Sequence, residues 1–147
     1  MDCAASGVPA RSVPRPELTG VEVMVVDDET DARELVKSTL AQHGAHVVTA
    51  NSAAEAYELI TETPSQESPN VIVADLAMPD EDGFRLLRRV REWERERGLH
   101  IPAVALTAYC RVEDRMSALN AGFQIHIAKP VEPAELVTVI ANLVKHS

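Results

Sequence analysis

Aromatic residues make up only 3% of this 147-residue chain, so its core has to be assembled from Val, Leu, Ile and Ala. Cysteine is as scarce: Cys3 and Cys110 stand far apart and in no CxxC or Cys/His spacing. That excludes a disulfide framework or a cysteine-based zinc site, and it suits a reduced, cytoplasmic compartment. The histidines His43, His46, His100, His126 and His146 form no HExxH pair. Positive charge is short, with 14 Lys and Arg against 23 Asp and Glu for a net −9. Gripping a nucleic-acid backbone takes clustered cations that displace counterions, so the balance argues against direct nucleic-acid binding. No apolar run approaches the ~18 residues that span a bilayer, and the N-terminus lacks a signal peptide's apolar stretch, which argues against membrane insertion. Neither GxxxxGK nor GxGxxG occurs, which removes the common nucleotide cradles.

What is present suits one ordinary domain, 46% hydrophobic and 25% charged. Residues 1–20 carry Pro9, Pro14 and Pro16 among small and polar residues, and read as a flexible arm or linker. The domain is expected over 21–147. Val21–Val26 is a short β-branched run, a buried strand. Ala32, Leu35, Val36, Thr39 and Leu40 then repeat at helical spacing up to Gly44, and Ala45–Thr49 is a second strand. Ser52-Ala-Ala-Glu55 has the form of a capping box opening a helix to about Thr61. A polar loop over Glu62–Asn70 leads to strand Val71–Ala74 and a helix from about Glu81 to Arg97. Strand Ile101–Leu106, helix Val112–Ala121, strand Gln124–Ala128 and a helix opening at Pro133 complete the pattern. Apolar strands alternating with helices imply an α/β fold, a five-stranded parallel sheet covered on both faces.

In such sheets functional groups gather at the carboxyl ends of the strands. The first strand ends in Asp27-Asp28, the third in Asp75, the fourth in Thr107 and the fifth in Lys129. Three carboxylates in one crevice repel one another, and their titration is expected to be perturbed without a cation. Hard oxygen ligands in an incomplete cage suit Mg²⁺, which keeps several waters and accepts a phosphate oxygen; Mn²⁺ is the natural substitute. A lysine and a hydroxyl beside the ion make sense if a phosphoryl group arrives, Lys129 neutralising one oxygen and Thr107 donating to another.

The segments Val-Val-Asp27-Asp28-Glu, Asp75-Leu-Ala-Met78-Pro79-Asp-Glu-Asp82-Gly83, Ala-Leu-Thr107-Ala108, Ala121-Gly122-Phe123 and Lys129-Pro130 stand in order, most of them at strand ends. In them the chain resembles the receiver domains of two-component signalling, the chemotaxis regulator among them, over about Val21–Val144. The resemblance implies a flavodoxin-like (βα)5 sandwich with strand order 2-1-3-4-5. It implies phosphorylation of Asp75 by a histidine kinase or histidine phosphotransfer protein. Mg²⁺ would be held by Asp28, Asp75 and the backbone carbonyl of Ala77, with Asp27 acting through water. A cis bond before Pro130 would aim Lys129 into the site, and His126 occupies the family's switch position. The surface around the fourth helix, fifth strand and fifth helix would respond, with a phosphorylation-dependent dimer as one outcome. The arm resembles the linkers before the receivers of hybrid histidine kinases.

Plainer roles are expected elsewhere. Asp80, Glu81 and Asp82 suit a helix N-terminus, and Gly83 suits close packing. Arg91–Arg97 reads as a solvated helix face with i,i+4 pairs, and Trp93 as cover for the core edge. Ala108 supports the site, and Tyr109 should overlook it and crowd an attacking water, while Ala77 cannot orient one. A slow loss of the phosphoryl group follows. A phosphatase of the haloacid-dehalogenase type would need a second Asp where Ala77 stands, so an acceptor rather than an enzyme is expected.

Overall fold

The computed structural model describes residues 18–62, 68–77, 82–108 and 112–145, apart from the side chains of 112, 114 and 115. The short apolar runs become strands β1 (Glu22–Val26), β2 (His46–Ala50), β3 (Val71–Asp75), β4 (Ala103–Thr107) and β5 (Ile125–Ala128). Between and after them lie helices α1 (Thr30–Gln42), α2 (Ala53–Glu62), α3 (Gly83–Arg95), α4 (Val112–Ala121) and α5 (Pro133–Lys145). All pairings are parallel, in the order β2-β1-β3-β4-β5. The fold class and strand order expected from the sequence are both found.

Because successive strand residues point to opposite faces, each strand feeds two cores. Val23, Val25, Val73, Val104, Leu106 and Ile127 pack with Leu40 of α1 and Leu136 and Ile140 of α5. Met24, Val26, Ile72, Ala74 and Ala105 pack with Ile60 of α2, Leu87 and Val90 of α3, and Ala118 of α4. β3 and β4 are buried at every residue, the signature of central strands in a covered sheet. The capping box is real, although its return bond is shifted by one residue. Ser52 Oγ accepts from Glu55 N at 3.1 Å, while Glu55 Oε1 accepts from Asn51 N at 2.7 Å.

Three expectations are corrected. Leu18 falls within the expected arm, yet it is fully buried in the α1/α5 core, and its N–H donates to the His43 carbonyl at 2.9 Å. The folded unit therefore includes Leu18-Thr19-Gly20; the remainder of the arm lies outside the described residues.

The Arg91–Arg97 run is a solvated face only in part: Glu92, Arg95, Glu96 and Arg97 are exposed, but Arg91 and Glu94 are not. Glu94 is 2% exposed and pairs with Arg91 at 2.7 Å, three residues apart rather than four. The same guanidinium donates to the Gly122 carbonyl at 2.8 and 3.2 Å and to the Ile101 carbonyl at 2.7 Å. Trp93 does cover the core edge, with Arg97 over its ring at 4.7 Å.

The fourth strand starts at Ala103, two residues later than the apolar run suggests. Ile101 is buried, but its N–H is taken by the Glu94 carboxylate and its carbonyl accepts from Arg91, so side chains rather than a neighbouring strand satisfy it. The middle of the Glu62–Asn70 loop, Met78–Glu81, Tyr109 and Cys110 lie outside the described residues.

Candidate functional site

Each strand that reaches the crevice delivers one polar residue as its apolar run stops. Asp27 follows β1, Asp75 and Thr107 close β3 and β4, and Lys129 follows β5. Register aligns these ends, with Val26 opposite Ala74, Asp75 opposite Leu106 and Thr107 opposite Ala128. Carboxylate oxygens of Asp27, Asp28 and Asp75 lie within 4.8 Å of one another. Asp27, Asp75 and Thr107 are buried, whereas Asp28 is exposed.

Lys129 closes one side. Its Nζ lies 3.2 Å from Asp75 Oδ2 and 3.7 Å from Asp27 Oδ2. The Lys129–Pro130 bond is cis, as the resemblance implied, and the Lys129 N–H donates to the Thr107 carbonyl at 2.8 Å. The other carboxylate oxygens are held by the backbone. Asp75 Oδ1 accepts from Ala77 N at 3.1 Å, and Asp27 Oδ1 from Glu29 N at 2.9 Å.

Burial raises the Asp27 carboxyl above its ordinary value of 3.8, and repulsion from Asp75 and Asp28 adds to this; the Glu29 N–H and Lys129 oppose it. Burial works against the Lys129 ammonium, but the pull of Asp75 and Asp27 outweighs it and raises that group. The Asp27 carboxyl is thus perturbed, with burial the larger cause and repulsion from the neighbouring carboxylates a smaller one.

A raised carboxyl means that the ionised form is penalised in the folded protein. That cost is present above the folded pKa and fades as pH falls toward 3.8. Asp27→Asn is therefore expected to stabilise the metal-free domain at neutral pH, with the advantage shrinking in acid. Urea denaturation in EDTA reads this directly. A variant less stable than wild type at neutral pH would overturn the reading that burial and like charge penalise the Asp27 carboxylate.

The residues fit a divalent cation. Mg²⁺–oxygen bonds of about 2.1 Å put opposite ligands about 4.2 Å apart, close to the spread seen here. Three hard oxygen donors with one ammonium beside them leave room for a further oxygen ligand.

His126 sits on β5 opposite Ala105 and is half-buried; Ala77, Ala108 and Pro130 are exposed at the rim. Tyr109 is outside the described residues. Asp82 is structural as expected, accepting from Arg85 N at 3.0 Å at the start of α3.

Sequence reasoning missed one close neighbour. Arg33 on α1 donates from Nη1 to the Asp27 carbonyl at 2.9 Å, a return over six residues that no helical spacing announces.

The sequence matches the family model for the response regulator receiver domain over residues 23–141. The chain belongs to that family. The receiver is 44% identical over 123 residues to an uncharacterised 14.6 kDa protein in the sodA1 3′ region of Leptolyngbya boryana, covering 84% of this chain and 89% of that one. It is 34% identical over 130 residues to hybrid signal transduction histidine kinase D of Dictyostelium discoideum, covering 87% of this chain but only 8% of the kinase.

Among solved structures, the receiver domain of the histidine kinase CKI1 from Arabidopsis thaliana, complexed with Mg²⁺ and BeF₃⁻, superposes with a TM-score of 0.79 at 27% identity, covering 87% of this chain and 92% of that one. The chemotaxis protein CheY4 of Vibrio cholerae gives 0.75 at 26% identity, with 84% and 98% covered. Receiver domains are signalling modules rather than classical enzymes, and they work with histidine kinases or phosphotransfer proteins. No helix among the described residues is long and apolar enough to cross a membrane.

Proposed function

We propose that this receiver accepts a phosphoryl group on Asp75 from a phosphohistidine donor, in a Mg²⁺-dependent reaction, in the cytoplasm. The observation that carries the reading is the Lys129 ammonium set between Asp75 and Asp27 at the mouth of a three-carboxylate cluster. Asp28, Asp75 and the Ala77 carbonyl would hold the ion, with Asp27 reaching it through water; bound there, the cation neutralises charge on the transferring group. Mn²⁺ would serve as well. Lys129 neutralises a phosphoryl oxygen, and the Thr107 hydroxyl donates to another. Ala77 has no side-chain group to orient a hydrolytic water, which suits a long-lived acyl phosphate.

A partner helix carrying the phosphohistidine would dock on the apolar surface beside the site. Beside Asp27 and Lys129 a cavity of about 210 Å³ opens between α1 and α5, walled by Ala32, Val36, Pro133 and Leu136. Leu35 at its edge is 65% exposed. The output reading is a shift of Thr107 toward the phosphoryl group, with His126 following and the α4–β5–α5 surface changing. Exposed Met116 and Leu119 on α4 and Ile125 on β5 give that surface apolar contacts to offer a partner or a second copy.

The test is intact-mass labelling with acetyl phosphate, and with phosphoramidate, whose P–N bond stands in for phosphohistidine. One phosphoryl group is expected per chain, lost with EDTA and lost in Asp75→Asn. Equal labelling of that variant would sink the proposal.

A further inference from the structure

The turn that carries Asp27 and Asp28 is held in its own way. A helix N-terminus leaves several N–H groups without partners, and a side-chain cap usually takes one. Asp82 does this for α3, but Glu29, the N-cap of α1, makes no side-chain capping bond. Two other groups order the turn instead. Asp27 Oδ1 takes the Glu29 N–H at 2.9 Å. Arg33, one turn into α1, folds back over the same segment.

Its Nη1 donates to the Asp27 carbonyl at 2.9 Å, its Nη2 lies 3.5 Å from Thr30 Oγ1, and its backbone N–H donates to the Glu29 carbonyl at 2.9 Å. The backbone bond is the first i→i−4 bond of α1; the two guanidinium contacts fall on Asp27 and Thr30, the ends of the stretch that bears two of the three clustered carboxylates. Arg33 is half-buried, so the bond to Asp27 is partly shielded from water. The partner of its Nη1 is a carbonyl oxygen, and the bond therefore holds the backbone in place without consuming a carboxylate that a cation would need.

We infer that Arg33 is a positioning residue for the divalent-metal site: its guanidinium holds the Asp27 carbonyl and so sets the Asp27–Asp28 turn for the ion. This rests on reading the acidic cluster as a metal site. Charge and position pull in opposite directions at Arg33. A guanidinium near a cation site repels the cation, so if charge were its whole effect, removing it would tighten binding. If it positions the turn, removing it loosens the ligands and weakens binding.

The experiment titrates the full chain with Mn²⁺ alone and follows the free ion by electron paramagnetic resonance, at a temperature where circular dichroism shows every variant folded. Arg33→Met is expected to weaken Mn²⁺ about tenfold, the size of one lost charge-assisted hydrogen bond. Arg33→Lys keeps the charge but not the planar fork, and is expected about threefold weaker. Arg97→Met, which removes a guanidinium bonded to the Trp93 carbonyl on α3, should bind like wild type. Arg33→Met binding as tightly as wild type, or more tightly, overturns the inference. Should that variant fail to fold, Arg33→Lys decides alone, and wild-type affinity there overturns it. A wild-type chain that takes up no Mn²⁺ removes the metal-site reading itself, a different result from either.

Discussion

Replacing Arg91 by methionine is expected to cost the receiver about 3–5 kcal/mol, the loss typical of breaking a buried ion pair from one side. The cation is engaged on every edge. It pairs with Glu94, holds the Gly122 carbonyl between α4 and β5, and holds the Ile101 carbonyl before β4. Methionine fills much of the volume but strands the Glu94 carboxylate, which is 2% exposed and keeps only the Ile101 N–H as a described partner. Two backbone carbonyls lose their donor as well. Urea denaturation measures the loss. Adding Glu94→Leu to Arg91→Met should recover part of it, because no charge is then left buried. A single-variant loss under about 1 kcal/mol would mean that the pair behaves as a surface bridge.

Gly83→Ala is expected to slow phosphoryl labelling of Asp75 about a hundredfold, because a misplacement of about 1 Å at a reacting group has that effect. Gly83 opens α3 and donates its N–H to the Leu76 carbonyl at 3.2 Å. A Cβ there would stand 2.7 Å from the Asp75 carbonyl oxygen and 3.2 Å from Leu76 Cα. Both neighbours are backbone, so no side chain can rotate away and the Asp75–Leu76 turn itself must move. Overpacking of this kind costs about 1–3 kcal/mol, so the variant should still fold. Labelling by acetyl phosphate at saturating Mg²⁺, followed by mass, gives the rate. Wild-type labelling would show that the turn yields without disturbing the acceptor.

Much of this was legible because it is local. β3 and β4 are apolar on both faces, and only a covered strand can be. Asp27, Asp75, Thr107 and Lys129 each stand at or just after the last residue of an apolar run, where chain polarity alone places them at one edge. The strand order had no such local sign and came from family resemblance.

The failures are non-local. Arg91 looks like part of a solvated charge ladder on its own helix, and two of its partners, Gly122 and Ile101, lie 31 and 10 residues away. Leu18 is one apolar residue after a proline-rich stretch, and its burial depends on the α1/α5 core beneath it. Arg33 was silent for a related reason: helical periodicity reports the face a residue shares, not a side chain folding back past its own N-terminus to a strand end.

The alternation along the strands has a mutational consequence. Val73 and Ala74 are covalent neighbours, yet they belong to different cores, with the hydrogen-bonded sheet backbone between them. Truncating Ile60 of α2 and truncating Leu136 of α5 disturb separate cores, so their effects should simply add. The sheet therefore acts as a bulkhead. Each compartment can accept a volume change without the other having to compensate, so the α1/α5 side and the α2–α4 side are free to drift at separate rates. Asp75 and Thr107 stand at the rim where the bulkhead ends, and a substitution from either compartment can be felt there.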